Sequence, residues 1–132
     1  MHKTFLTSKA PQAIGPYSQA VEANGFLFIS GQIPIVPETG KIIEGGIKEQ
    51  TRQVLINIGN ILQYAGYSFS DVIKSTCFLM DITDFQGMNE VYEKFYTDNK
   101  PARSAFAVKD LPRGALIEIE TIAAKQEKTT QL

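Results

Sequence analysis

Hydrophobic residues recur from Ile47 onward with the spacing of one face of an α-helix. The stripe consists of Ile47, Val54, Leu55, Ile58, Leu62 and Ala65. Gly66 follows directly, and glycine readily adopts the left-handed conformation at which many helices end. The pattern therefore predicts a first helix that stops at Gly66.

A second stripe with helical spacing lies further along the chain. Its members are Phe85, Met88, Tyr92, Phe95 and Tyr96. Thr83, with Gln86 three residues later, resembles a capping box, in which two side chains satisfy free backbone N–H groups at a helix start. Pro101 marks the end of the region, so a second helix is predicted between these limits.

The remaining apolar segments have the character of β-strands. Asn24-Gly25 stands between the extended segments Tyr17–Ala23 and Phe26–Ile29. Because Asn and Gly tolerate the positive φ angles of a type I′ turn, this stretch predicts a β-hairpin. A loop rich in Pro and Gly is expected from Pro34 to Gly40. Three later strands are predicted: Asp71–Ile82, Ser104–Val108 and Leu116–Ala124.

This order of elements predicts an α+β domain, in which the two helices pack on one face of a single sheet. The 132 residues fit one domain, and the polar residues 126–132 are expected to form a frayed tail. Strands and helices occur with no internal repeat and no linker, so a second domain is not expected.

Charge and composition narrow the class of protein. The net charge is −1 and no dense Lys/Arg run occurs, which argues against a nucleic-acid partner. No apolar run approaches the length of a membrane span, and no signal-peptide pattern is found. The single cysteine, Cys77, cannot form an internal disulfide. A cytoplasmic location is therefore expected.

Several common catalytic arrangements are missing from the sequence. It has no P-loop, dinucleotide fingerprint, nucleophile elbow or Cys/His metal cluster, so no metal and no cofactor are expected. The only histidine, His2, is expected to be a solvated terminal residue. Cys77 lies in an apolar segment and is expected to be a buried, unreactive thiol.

Arg103 is the first candidate for chemistry. It stands in Pro101-Ala102-Arg103-Ser104, just before an apolar strand. The planar guanidinium can hold a carboxylate through two parallel hydrogen bonds, which lysine cannot reproduce. From the residues alone, a surface arginine at a strand start is an equal alternative.

Glu118 is the second candidate. Strand alternation places Leu116, Glu118, Glu120 and Ile122 on one face, which mixes carboxylates with aliphatic side chains. A carboxylate at the edge of an apolar cleft can have a raised pKa and can orient a water molecule. A solvated strand face is the simpler interpretation at this point.

Three other polar residues occupy positions where apolar ones are common. Ser30 shares a strand face with Phe26 and Phe28 by alternation, and Asn89 falls on the apolar stripe of the second helix. If Asn89 is buried, its amide needs hydrogen-bond partners. Tyr17 opens the first hairpin strand. Each is more often structural than functional.

Taken together, these motifs resemble the Rid family (YjgF-like), and within it the RidA subfamily of reactive-intermediate deaminases. The similar segments are residues 13–20 (AIGPYSQA), residues 28–34 (FISGQIP), Asn89 with Tyr92, residues 101–104 (PARS), residues 111–112 (LP) and residues 117–120 (IEIE). They occur in the same order and span most of the chain. The resemblance shifts Arg103 and Glu118 toward a functional role.

The resemblance implies a chorismate-mutase-like fold, assembled as a homotrimer with sites between subunits. It also implies that 2-iminopropanoate and 2-iminobutanoate, formed from enamines such as 2-aminoacrylate, are hydrolysed to 2-oxo acids and ammonia. Arg103 would anchor the substrate carboxylate, and Glu118 would orient the attacking water. The implied substrate-binding residues are Tyr17, Ser30, Gly31, Asn89 and Arg103.

One position departs from the family pattern: Ala105 stands where many relatives have cysteine, which leaves pocket size and substrate preference open. Two other functions remain as alternatives. A non-catalytic binder of small 2-oxo acids would use the same arginine. An endoribonuclease or translation inhibitor is the weaker reading, because the chain has neither a basic stripe nor a histidine pair.

Overall fold

The predicted hairpin forms at Asn24-Gly25, where φ is 53° at Asn24 and 79° at Gly25, as a type I′ turn requires. The structure, a computed structural model, describes residues 2–126. Strands β2 (Ala20–Ala23) and β3 (Phe26–Gln32) flank the turn and pair antiparallel. A further strand, β1 (Lys3–Phe5), pairs with β2 at the sheet edge and was missed by the sequence analysis.

Ten helices and strands build the described part of the chain. After the first three strands they are β4 (Ile35–Val36), β5 (Lys41–Ile42), α1 (Ile47–Ala65), β6 (Val72–Leu79), α2 (Phe85–Phe95), β7 (Ala102–Ala107) and β8 (Ile117–Ala124). Six strands form one sheet in the order β1-β2-β3-β8-β6-β7. Among the strands of residues 2–126, β6 and β7 alone pair in parallel, and α2 lies in the crossover that a parallel pair needs.

Helix α1 ends as the sequence predicts. Gly66 has φ 87°, and its N–H donates to the Gln63 carbonyl at 3.1 Å, while the N–H of Tyr67 reaches the Leu62 carbonyl at 2.8 Å. These bonds satisfy carbonyls that the end of a helix leaves free. The left-handed residue turns the chain toward β6.

The start of α2 differs from the prediction. Asp81 accepts from the backbone N–H of Thr83 at 2.9 Å and from its hydroxyl at 2.7 Å, and a short 3₁₀ turn, Ile82–Asp84, follows. Helix α2 then begins at Phe85 without a side-chain cap. The predicted Thr83/Gln86 capping box is therefore wrong, because the Thr83 hydroxyl is engaged by the preceding aspartate.

The Pro34–Gly40 segment is also more ordered than predicted. It contains β4, which pairs antiparallel with β5 as a separate two-stranded hairpin. The buried side chain of Asn57 in α1 donates to the Ile35 carbonyl at 2.9 Å and accepts from Gln53 at 2.9 Å. Two buried amides thus attach the small hairpin to the helix.

The core lies between the helices and one face of the six-stranded sheet. It includes Leu27, Cys77, Leu79, Ile117 and Ile119 from the sheet, with Leu55, Ile58 and Met88 from the helices, all fully buried. We call this side of the sheet the helix face and the other side the open face. The prediction of an α+β fold with two helices on one face of the sheet is confirmed.

The open face carries large apolar side chains that the single chain leaves exposed. Phe28 and Phe106 are each 46% exposed. Phe28 stands opposite Ile122 across β3 and β8, and Phe106 meets Phe78 edge to face with ring centroids 5.5 Å apart. The expected polar tail lies outside the described residues except for Gln126, whose amide donates to the Ser70 carbonyl at 3.1 Å.

Candidate active site

Arg103 is held by side chains of helix α2. It lies on β7 next to the fully buried Ser75 of β6, so it points toward the helix face. Its Nη1 donates to Asn89 Oδ1 at 2.7 Å. Its guanidinium carbon lies over the ring of Tyr92 at 4.8 Å and over the ring of Phe85 at 5.4 Å. Arg103 is therefore a partly buried, oriented arginine rather than a free surface one.

The side-chain amide of Asn89, on the apolar stripe of α2, has a hydrogen-bond partner in Arg103. Its carbonyl oxygen accepts from Arg103, which fixes the amide and the guanidinium together. A cavity of about 490 Å³ opens beside this pair. It is lined by Asn89, Tyr92, Glu93, Tyr96, Lys100, Pro101 and Arg103. Such a volume is ample for a small organic acid.

Glu118 lies on β8 against the backbone of Gly31. A side-chain carbon added at Gly31 would overlap Glu118 Oε2 and would lie 2.9 Å from its carboxyl carbon. Burial raises the pKa of Glu118, and the nearby charge of Glu120 raises it further. Glu118 is therefore half-buried rather than part of a fully solvated strand face.

Ser30 lies on β3 directly before Gly31, whereas Tyr17 lies before β2, which begins only at Ala20. The prediction that Tyr17 opens the first hairpin strand is therefore wrong. The Ser30 hydroxyl donates to the Ser18 carbonyl at 2.6 Å, and the Ser30 carbonyl accepts from the amide of Gln32 at 3.1 Å. The register of β3 and β8 shifts between Ile29 and Gln32, so the ladder is irregular at Ser30 and Gly31. Tyr17 directly precedes Ser18 in the sequence, and its side chain is 53% exposed. Ser30, Gly31 and Glu118 are thus neighbours.

Arg103 and Glu118 lie on opposite faces of the sheet. Arg103 shares the helix face with the buried Ser75. Glu118 lies between Ile117 and Ile119, which are fully buried under the helices, so alternation along the strand points Glu118 to the open face. The structure thus brings Arg103 together with Asn89, and Glu118 with Gly31 and Ser30. Within one chain the two side chains therefore point away from each other across the sheet.

The aromatic contacts to Arg103 were not predicted from the sequence. Phe85 was assigned only to the apolar stripe of the second helix, and Tyr92 to this stripe and, with Asn89, to a family motif. The signal was available, because Phe85, Asn89 and Tyr92 are spaced i, i+4 and i+7 and therefore share one helix face. An amide between two aromatic rings on one face indicates a polar partner that approaches from outside the helix.

Cys77 and His2 lie where the sequence predicts, the first buried and the second exposed. Cys77 is fully buried, and burial raises the pKa of its thiol to about 11, so the thiolate is scarce at neutral pH. His2 is exposed. Residues 2–126 contain no group of three or more His, Cys, Asp or Glu side chains that could hold a metal ion. No helix among them is long and apolar enough to cross a membrane.

Fold and site together define an α+β protein with an arginine oriented by helix α2 on one sheet face and a half-buried carboxyl group on the other. The family model described as Endoribonuclease L-PSP matches residues 7–125. The chain therefore belongs to this family, the Rid (YjgF-like) proteins, and the resemblance seen in the sequence is confirmed.

Relatives in this family extend over nearly the whole chain. A RutC family protein of Pyrococcus horikoshii is 57% identical over 126 residues, which cover 96% of this chain and 100% of that protein. The human 2-iminobutanoate/2-iminopropanoate deaminase is 45% identical over 130 residues, 98% of this chain and 95% of that protein. The crystal structure of E. coli TdcF with bound serine matches with a TM-score of 0.90 and 42% identity, over 94% of this chain and 99% of that one.

Proposed function

We propose that this protein is a deaminase that hydrolyses 2-iminopropanoate and 2-iminobutanoate to 2-oxo acids and ammonia. The observation that carries the proposal is the guanidinium of Arg103, fixed by Asn89 at 2.7 Å beside a cavity. The name of the human relative supports this substrate class. Serine bound to TdcF supports a site for a small molecule with an α-carboxylate.

In the proposed reaction, Arg103 binds the substrate carboxylate, using N–H groups that Asn89 leaves free. Glu118, in its ionised form, accepts a proton from a water molecule as the water oxygen bonds to the imine carbon. Glu118 passes this proton to the imine nitrogen, and then moves the hydroxyl proton of the adduct to the nitrogen as well. The carbon–nitrogen bond breaks, the carbonyl forms, and ammonia leaves. The raised pKa of Glu118 favours this exchange, because a base works best with a pKa near the working pH.

Ser30, Tyr17 and the backbone at Gly31 are proposed to orient the substrate beside Glu118. The absence of a side chain at Gly31 leaves space for the Glu118 carboxyl group and for a ligand next to it. Asn89 acts on the other half of the site through Arg103. No metal or cofactor is needed for this route, because addition of water to an imine requires only positioning and proton transfer.

We further propose that three copies assemble with each site between two subunits. Arg103 of one subunit would then meet Glu118 of its neighbour, since the two groups of one chain lie on opposite sheet faces. The exposed Phe28 and Phe106 support burial of the open face in such an assembly. The single buried thiol is consistent with a cytoplasmic protein.

The activity is tested by adding the protein to a threonine dehydratase reaction and following release of 2-oxobutanoate. We expect acceleration by the wild type, near-complete loss in Arg103→Ala and partial to severe loss in Glu118→Gln. Lys48→Ala, which removes only an exposed ion pair with Glu90, is the control and should remain active. A folded wild type that binds 2-oxobutanoate without acceleration would make the protein a binder instead.

The name of the family raises an RNase activity as the competing function. The charge of −1 and the single, exposed histidine His2 argue against it. Highly purified protein should leave single-stranded RNA intact. Cleavage that persists in both Arg103→Ala and Glu118→Ala would assign the RNase to another part of the molecule and count against the imine site as the main function.

A further inference from the structure

Helix α2 presents one continuous face to Arg103. Phe85, Asn89 and Tyr92 share this face, and all three contact the guanidinium group. Asn89 makes a hydrogen bond, whereas the two rings meet the planar group through their faces. The three contacts come from a single rigid element, so they hold the arginine in one position relative to the helix.

The two kinds of contact use different parts of the guanidinium. Its five N–H donors point outward in the plane of the group, and Asn89 takes one of them. A ring that lies over the plane takes none, because it interacts with the delocalised charge above the plane. Stacking can therefore fix the plane and still leave donors free for the two oxygens of a carboxylate.

The ring of Tyr92 is itself firmly placed. Tyr92 is 7% exposed, its ring centroid lies 4.5 Å from that of Tyr96, and Tyr96 meets Phe69 edge to face at 5.2 Å. The hydroxyl of Tyr92 is buried and has no hydrogen-bond partner within residues 2–126. Packing of the rings thus fixes the position of Tyr92, and Tyr92→Phe isolates any contribution of its hydroxyl, which lies near Ser75.

We propose that Tyr92 and Phe85 are positioning residues that orient Arg103 for two-point binding of the substrate carboxylate. This inference rests on the proposed function and adds residues that act through the arginine. Tyr92 supplies the buried, immobile ring, and Phe85 a second one at the start of the helix. Without them, Asn89 alone holds the guanidinium, which can then rotate about a single hydrogen bond.

Substitution of each ring tests the proposal. Tyr92→Leu and Phe85→Leu should weaken binding of 2-oxobutanoate in titration calorimetry and raise KM in the dehydratase-coupled assay, each by roughly 2- to 30-fold, the range of a partly buried cation–π contact. The value of kcat should change less than KM, since carboxylate binding is common to the ground and transition states. Tyr92→Phe keeps the ring and should behave like the wild type.

Phe95→Leu is the matched control. It removes a ring of the same helix that packs on Phe69 at 5.6 Å and makes no contact with Arg103. If Tyr92→Leu fails to fold, Phe85→Leu, which is only half-buried, decides the question. A second readout is the NMR shift of the Arg103 Nε–H group, which the Tyr92 ring current should displace in the wild type and in Tyr92→Phe but not in Tyr92→Leu.

The outcomes separate this inference from the proposed function. An active wild type with ring variants that match Phe95→Leu in KM and binding would overturn the positioning role alone. Equal losses in Tyr92→Phe and Tyr92→Leu would also overturn it, because the hydroxyl would then be responsible. A wild type that neither deaminates nor binds 2-oxobutanoate would overturn the proposed function and this inference with it.

Discussion

At the scale of one residue, the ionised carboxyl group of Glu118 lowers the free energy of unfolding. Burial raises its pKa in the folded chain above the value in the unfolded chain. Between these two values the folded state binds more protons, so stability falls as the pH rises through that interval and stays lower above it. The carboxylate that is proposed to activate water is therefore destabilising at neutral pH.

Glu118→Gln should remove this cost together with the base. We expect the Tm of the variant to exceed that of the wild type at pH 7 and to approach it near pH 4, where the wild-type carboxyl group is protonated. Thermal unfolding followed across this pH range checks the sign. In the wild type, kcat/KM should also decline on the acid side at a higher pH than an ordinary glutamate would give. We subtract the Tm of the wild type from that of the variant at each pH. A difference that is smaller at pH 7 than at pH 4 would contradict a destabilising charge on Glu118.

Side-chain chemistry was readable from the sequence at this scale, whereas side-chain partners were not. The guanidinium of Arg103 made a carboxylate anchor one of two equal alternatives, and the family resemblance favoured it. The structure places Arg103 within β7, whereas the sequence had predicted it just before the strand. Its bond to Asn89 joins positions 14 residues apart, and a helical stripe of aromatic residues does not show which polar group approaches it. Likewise, the raised pKa of Glu118 follows from burial against Gly31, a contact between two strands that only the β3–β8 pairing creates.

At the scale of elements, those with a strong local signal in the sequence were predicted, and the shortest strands were not. The helix α1, with 19 residues, and the Asn24-Gly25 turn were predicted because periodicity or turn chemistry determines them locally. The strands β1, β4 and β5 were missed, since two or three residues show no period. The start of α2 was mispredicted because Asp81 and Thr83 are both residues that commonly cap helices, and in the structure Asp81 caps a 3₁₀ turn that precedes α2.

The irregular end of β3 is the element on which the glutamate depends. Gly31→Ala would place a methyl group on the Glu118 carboxyl group, so the carboxyl group must move. We expect deaminase activity to fall at least about tenfold, since small displacements of a catalytic group are costly, while the fold persists. Gly46→Ala is the control, as a methyl group there meets nothing within 4 Å. Circular dichroism and the coupled assay measure both effects. Full activity in Gly31→Ala would show that catalysis does not require the Glu118 carboxyl group at the position seen beside Gly31.

At the scale of the whole molecule, a single chain divides its proposed catalytic groups between two sheet faces. Alternation along β7 and β8 fixes this division, and no movement of side chains can bring Arg103 through the sheet to Glu118. The sequence could not reveal it, because the faces of β7 are defined only by its pairing with Ser75 of β6. The exposed aromatic residues of the open face give the same indication of further chains.

Mixed assemblies test whether the site lies between subunits. Arg103→Ala and Glu118→Gln chains, given different tags and expressed together, should form trimers in which some sites join an intact arginine of one chain to an intact glutamate of its neighbour. With random mixing, roughly one quarter of the sites would be intact, so deaminase activity should rise to about a quarter of the wild-type level. Each variant expressed alone is the control. Co-purified mixed trimers that stay as inactive as their parents would mean that Arg103 and Glu118 of neighbouring subunits do not share a site, and the assembly proposed here would then be wrong.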